Sequence, residues 1–264
     1  MTAAVGTAAR FDLGKVVERT FAAIGRNFAV FALLSLMLAG VPAAFTGAAV
    51  TVLAAGGAPG LPSSAAFGAA ALGGAAISYI VQAIAAYILQ GAITYGAVAD
   101  LNGRKPTLGE CLSTGVRHAG WLFLLAVVAT VATVFGYLLL IVPGLMIATA
   151  WLVAAPAQVV ERTGVFGALS RSADLTRGHR WPVFGLMVAY GLGAFMVQSV
   201  VIGVISAVAM GSPANARLVA QVFLTPIVTT ITGLVAAVGV ASVYYELRSV
   251  REGVGPEALA AVFD

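Results

Sequence analysis

From Phe28 onward the chain alternates long apolar runs with short polar ones, and the run lengths predict the architecture. Crossing about 30 Å of hydrocarbon takes roughly 20 apolar residues in a helix. Six runs meet or approach that length: 28–50, 70–98, 121–141, 144–160, 183–209 and 218–245. Residues 51–68 between the first two are rich in Gly, Pro and Ser and carry no charge, which predicts a loop. Only Val142-Pro143-Gly144 separates the third and fourth runs. The two together are roughly 40 residues, too long for one span. Proline cannot continue the helical ladder, so a tight helical hairpin is expected there.

The polar stretches have a helical period of their own. Over residues 11–27, Leu13, Val16, Val17, Phe21 and Ile24, continued by Phe28, form a stripe opposite Lys15, Glu18, Arg19 and Arg26. A second stretch starts at Thr107, which can cap the free amides while Glu110 reaches back to it; Leu108, Cys111, Leu112 and Val116 follow on one face. A third starts near Gly164, with Phe166, Leu169 and Ala173 along one side and Arg171 and Asp174 off it. Each runs into a basic or aromatic boundary: Arg26-Asn27-Phe28, His118 to Trp121, and Gly178-His179-Arg180-Trp181. The even-numbered runs also end alike, on Asp100, Glu161 and Glu246.

These features predict an all-α integral membrane protein of six transmembrane helices, built as three pseudo-repeated units. Each unit is a cytoplasmic amphipathic helix, lying in the interface with its apolar face down, followed by a helical hairpin. The units span 11–98, 107–160 and 164–245, with 246–264 as a cytoplasmic tail and the whole forming a single membrane domain.

Composition agrees: the 264 residues are 61% hydrophobic and 9% charged, against roughly 25% charged in soluble domains. The net charge of +4 does not point to nucleic acid, because the positive residues lie in short segments between apolar runs. The predicted topology puts 13 of the 14 basic residues on one side and Arg217 on the other. The positive-inside rule makes the first side cytoplasmic, with both termini there. Charged Lys15, Glu18, Arg19 and Arg26 precede the first run with no short apolar segment before them, so no cleavable signal is expected. The lone Cys111 excludes an intramolecular disulfide and a cysteine metal cluster.

Residues 168–185 (Ala168-Leu-Ser-Arg-Ser-Ala-Asp-Leu-Thr-Arg-Gly-His-Arg-Trp-Pro-Val-Phe-Gly) and the closing Val243-Tyr-Tyr-Glu-Leu-Arg-Ser-Val-Arg-Glu-Gly resemble a widespread bacterial family. That family is named for the membrane domain of glycerophosphoryl diester phosphodiesterase. The Ile141-Val-Pro-Gly turn and the opening Gly14-Lys-Val-Val-Glu-Arg-Thr-Phe also look like it. The resemblance implies a bacterial cytoplasmic-membrane protein with the family's fold. In fused relatives the hydrolase is a separate soluble barrel, absent here, so the resemblance implies no catalytic residues.

The residues point away from chemistry as well. No Asp, Glu, Lys, Arg or His falls in the middle of a predicted span, whereas proton pathways and intramembrane proteases need such groups. No phosphate-binding glycine loop is present. We therefore expect no enzyme, no catalytic or metal site and no cofactor.

Uncharged polar residues remain. Gln82 and Gln90 share one helix face, Gln198 lies in span five, and Thr225, Thr229, Thr230 and Thr232 lie in span six beside the kink expected at Pro226. They either line a cavity for a polar group or bond neighbouring helices, at about 0.6 kcal/mol each. Small residues recur every four positions at Gly185, Ala189 and Gly193, and at Gly233, Ala237 and Ala241, which allows close packing within the chain or against a second copy. Arg171, Arg177, His179 and Arg180 beside Trp181 suit anionic lipid headgroups, or serve only to orient the chain. Two functions stay open. One is a non-enzymatic protein, not driven by ATP, that binds or transports a lipid-like or amphipathic molecule. The other is a scaffold or accessory subunit that organises the bilayer or a partner complex. The expected partners are membrane lipids and a further copy or membrane protein.

Overall fold

A computed structural model describes residues 11–54, 64–101, 104–211 and 214–252. Among them the chain is helical throughout, with no strand. The helices are α1 (Leu13–Arg26), α2 (Phe28–Ser35), α3 (Val41–Ala54), α4 (Ser64–Leu101), α5 (Leu108–Leu139), α6 (Ile141–Ala150), α7 (Ala154–Glu161), α8 (Gly164–Thr176), α9 (Arg180–Gly211) and α10 (Ala214–Glu252). A π-helical turn, Leu36–Gly40, joins α2 to α3. Six stretches are long and apolar enough to cross a membrane: Phe28–Gly47, Ile80–Asp100, Leu108–Leu139, Ile141–Glu161, Arg180–Ala207 and Phe223–Glu252. They correspond to the six apolar runs.

The starts of the helices follow from local chemistry. Asp12 is extended, and its carboxylate accepts the amides of Gly14 (2.8 Å) and Lys15 (3.4 Å), capping α1. At α5 the anticipated capping box is present: Thr107 Oγ1 accepts from the Glu110 amide at 3.3 Å, and Glu110 Oε2 from the Thr107 amide at 3.1 Å. α7 stops at Arg162, whose φ of 51° is left-handed, two residues before α8 begins.

Elsewhere the chain departs from the pattern reading. The turn between spans three and four is Leu140 alone, extended at φ −166°, rather than Val142-Pro143-Gly144. Pro143 instead sits in the first turn of α6, where a missing amide costs no ladder bond. Gly136 and Gly144 face each other across this hairpin. A Cβ on Gly136 would lie 2.9 Å from the Gly144 Cα, and one on Gly144 2.5 Å from the Tyr137 ring. The expected loop at 51–68 is shorter, because residues 51–54 and 64–68 are helical; 55–63 lie outside the described residues. The tail expected from residue 246 begins as helix, with α10 running to Glu252. No break marks His118 to Trp121, since α5 is continuous there.

Span four, read as one helix, breaks at Trp151–Val153. The break frees the Ala150 carbonyl, which accepts Ser172 Oγ at 2.7 Å and Thr176 Oγ1 at 3.4 Å from α8. A buried carbonyl without a partner would be costly, so these hydroxyls tie α8 to the break. The buried face of α8 is accordingly Val165, Ala168, Leu169, Ser172, Leu175 and Thr176. Phe166, placed with Leu169 on an apolar stripe, stands exposed.

α10 is the central element, packing against α1 to α4 and α7 to α9. The π turn makes its closest approach to α10 at Gly40, where a Cβ would lie 2.4 Å from Thr230 Oγ1 and 3.2 Å from the Pro226 carbonyl. α4 and α5 meet equally closely, through Gly91 and Gly115. Replacing Gly115 by Ala would put a carbon 2.6 Å from the Ile88 carbonyl oxygen, forcing the two helices apart. We expect this change to lower the unfolding free energy in detergent by about 1–3 kcal/mol. Gly120→Ala on the same helix should be close to neutral, because its Cβ meets nothing within 4 Å.

Candidate ligand-binding crevice

The ends of the spans are fixed before any cavity is formed. Asp100, at the end of span two, accepts Arg26 Nη2 at 2.6 Å, Arg26 Nε at 3.0 Å and Asn27 Nδ2 at 2.7 Å. These bonds hold the Arg26 guanidinium above its ordinary pKa, so it is charged at any working pH. Glu161, at the end of span four, accepts Arg171 Nε at 2.8 Å and the Tyr244 hydroxyl at 2.8 Å. Arg171 also pairs with Glu252, which Arg248 binds at 2.7 Å. Glu246, in span six, pairs with Arg19 at 2.7 Å. Every carboxylate that ends an even-numbered span is thus taken by an arginine from α1 or α8.

Two voids follow one another along α10. The first is a crevice of about 450 Å³ between α1, α9 and α10. Val16, Val17, Thr20 and Phe21 form its α1 wall, Leu186, Met187, Ala189 and Tyr190 its α9 wall, and Val235 to Val243 its floor. Its surface is almost wholly apolar. It exists because α9 is anchored near its start, where Val183 is buried, and is mostly exposed beyond that point. The second void, about 250 Å³, lies one to two turns further along α10 and is lined by Gln82, Gln90, Thr229 and Thr232 with Leu38 and Leu89. Tyr190 and Ala236 line both voids. The Tyr190 hydroxyl donates to the Thr232 carbonyl at 3.0 Å, which holds the ring between them.

Of the polar residues singled out in the sequence, Gln82, Gln90, Thr229 and Thr232 are brought together in this second void. Gln90 also uses Nε2 to bond the Ala237 carbonyl at 3.2 Å, so it is at once a wall and an interhelical tie. Gln198 is exposed on α9, away from them. Thr230 points instead to Gly40, with a buried hydroxyl that has no partner among the described residues. Thr225 is half-buried and lines neither void. Ala237 and Ala241 are buried inside the bundle, and a Cβ on the half-buried Gly233 would lie 3.3 Å from the Ala39 Cβ. Gly185 and Gly193 differ: a Cβ on either would meet nothing within 4 Å, and Ala189 edges the crevice.

The basic cluster divides in the same way. Arg171 is committed to Glu161 and Glu252, so it is not free for a headgroup. Arg177 is exposed and offers its carbonyl to Arg251 Nη2 at 2.7 Å. His179 packs on Phe11, with ring centres 5.9 Å apart. Arg180 and the exposed Trp181 face α6 around a small apolar hollow with Val142 and Met146. Sequence reasoning missed the crevice, although Val16, Val17 and Phe21 of its α1 wall were legible as part of an apolar stripe.

Compared with known proteins, the chain matches no family model, no curated protein and no solved structure.

The Glu246 side chain is only 4% exposed, so Arg19→Gln would leave a nearly buried carboxylate without its cation. Breaking a buried pair costs roughly 3–5 kcal/mol, and the 41% exposure of Arg19 puts this case below that range, at about 2 kcal/mol. The expected reading is a lower melting temperature for Arg19→Gln that adding Glu246→Gln largely restores.

Proposed function

We propose that the chain is a multi-pass protein of the bacterial cytoplasmic membrane, with both termini cytoplasmic, that binds and moves a lipid-like or amphipathic molecule without ATP and without chemistry. The apolar crevice between α1, α9 and α10 carries this reading. Its volume of about 450 Å³ falls within the 300–1,000 Å³ of typical ligand pockets. An apolar wall at the side of a membrane bundle suits an alkyl chain, and the exposed apolar stripe of α1 supports its lying at the interface. Beyond Tyr190 the glutamines and threonines offer hydrogen bonds to a polar group without any charge to trap it. The Tyr190 ring then acts as the partition that such a molecule has to move.

The threefold repeat is part of the same reading. α1 with α2 to α4, the first turns of α5 with α5 to α7, and α8 with α9 and α10 would be the three units. The arginine clasp on Asp100, Glu161 and Glu246 supports it. The likeness of residues 168–185 to boundary segments of the glycerophosphoryl diester phosphodiesterase membrane-domain family agrees with a membrane module and adds no activity.

A second reading, a scaffold that assembles with a further copy, is favoured by one observation: Gly185 and Gly193 on α9 face open space. Native mass spectrometry from lipid nanodiscs separates the two. The binding reading expects a monomer or dimer with stoichiometric lipid. Gly239 lines the crevice and a Cβ there meets nothing within 4 Å, so Gly239→Leu should fill it without disturbing the fold. Retained lipid should then fall about tenfold, equivalent to 1.4 kcal/mol of lost binding. Unchanged retention with an unchanged circular dichroism spectrum would remove the crevice reading, and a larger oligomer carrying only bulk lipid would replace it with the scaffold.

A further inference from the structure

A third void lies on the opposite flank of α1 from the apolar crevice. It has a volume of about 410 Å³ and is walled by Lys15, Glu18, Arg19 and Arg26 of α1, Ala97 of α4, and Ser242 and Tyr245 of α10. Unlike the crevice, it has a substantial polar share of wall, with four charged side chains of α1 around it.

The charges can be followed group by group. Arg26 is engaged by Asp100 through Nε and Nη2. Arg19 uses Nη1 on Glu246, which leaves its other nitrogens free to donate. Lys15 and Glu18 have no ion-pair partner among the described residues, although they stand one turn apart on the same helix. Three cations, Lys15, Arg19 and Arg26, therefore stand against three carboxylates, Glu18, Asp100 and Glu246. A bare anion entering this pocket would meet Lys15 and Arg19, but also the open carboxylate of Glu18. A group carrying both a phosphate and an ammonium would satisfy each in turn.

Tyr245 supplies the independent observation. It is 5% exposed, and its hydroxyl is buried without a hydrogen-bond partner among the described residues. Buried hydroxyls are nearly always satisfied, and one left open asks for an acceptor from outside the chain. Tyr245 is one of the residues that line this pocket, as is Lys15, the one lysine among them.

We propose that the pocket between α1, α4 and α10 binds a zwitterionic phosphate–amine headgroup. The phosphate accepts from Lys15, Arg19 and the Tyr245 hydroxyl, and the ammonium faces Glu18. This site does not depend on the apolar crevice, with which it shares no lining residue.

The test is native mass spectrometry of the full chain from nanodiscs containing phosphatidylethanolamine and phosphatidylglycerol in equal amounts. One phosphatidylethanolamine per chain should be retained preferentially. Lys15→Gln should reduce that retention about tenfold, as loss of a charge-assisted bond to phosphate does. Glu18→Gln should reverse the preference toward phosphatidylglycerol. Tyr245→Phe is the decisive variant, because it removes a hydroxyl with no internal partner. It should lower retention while leaving the melting temperature of the delipidated protein unchanged or raised. Added free phosphoethanolamine distinguishes the sources: displacement of the lipid means the headgroup chemistry alone suffices, and persistence of the lipid means the headgroup is taken as part of a lipid. Equal retention of the two lipids by the unaltered chain, or retention unchanged in Lys15→Gln and Tyr245→Phe, overturns the proposal. Gly120→Ala serves as the control, since Gly120 lines neither this pocket nor the crevice and an added Cβ there meets nothing within 4 Å, so this retention should stay intact.

Discussion

Burying a carboxylate at the end of an apolar helix is costly unless a cation and hydrogen bonds compensate it. In this chain Asp100, Glu161 and Glu246 find their cations on α1 and α8, two short helices that are not themselves spans. The pairs do more than neutralise charge. Arg26 ties the start of span one to the end of span two, Arg171 ties α8 to α7 and α10, and Arg19 lays α1 against span six. Tyr244 and Arg248 join the same network from α10. The basic residues that mark topology in the sequence are therefore also the fasteners of the bundle.

Within the apolar part, hydrophobicity cannot decide which helices touch, because lipid tails are as apolar as the side chains. Shape decides instead. Gly91 with Gly115, Gly136 with Gly144, and Gly40 against Thr230 let backbones approach to distances no larger residue permits. Where such pairs are present the helices close, as α4 does on α5. Along α9 a Cβ on Gly185, Gly191 or Gly193 would meet nothing within 4 Å, and this helix is mostly exposed beyond its buried Val183. The apolar crevice is the space that results.

The molecule thus arranges unlike environments around one helix pair. α1 and α10 have an apolar crevice on one flank and a polar pocket on the other, and α10 continues past Tyr190 to a small uncharged cavity. The contrast follows from the amphipathic period of α1, whose Val17 and Phe21 face one way and Lys15, Glu18 and Arg19 the other. A single amphipathic helix thereby borders surfaces of both kinds.

The sequence by itself determined the six apolar helices, the cap at Thr107, and the pairing of Gln82 with Gln90 on one face. These follow from run length, local hydrogen bonding and the helical period, all of which act between residues near in the chain. It did not determine the single-residue turn at Leu140, the break at Trp151–Val153, the π turn at Leu36–Gly40, or which arginine answers which carboxylate. The break persists because Ser172 and Thr176, some twenty residues away, satisfy the Ala150 carbonyl, and the π turn sits against Thr230 on a distant helix. Likewise Gly185 and Gly233 each open a small-residue pattern of the same spacing, yet of the two only Gly233 would bring an added Cβ against a neighbour. A pattern states what a helix face can do, and tertiary packing decides which faces meet, because that depends on residues brought together from far along the chain.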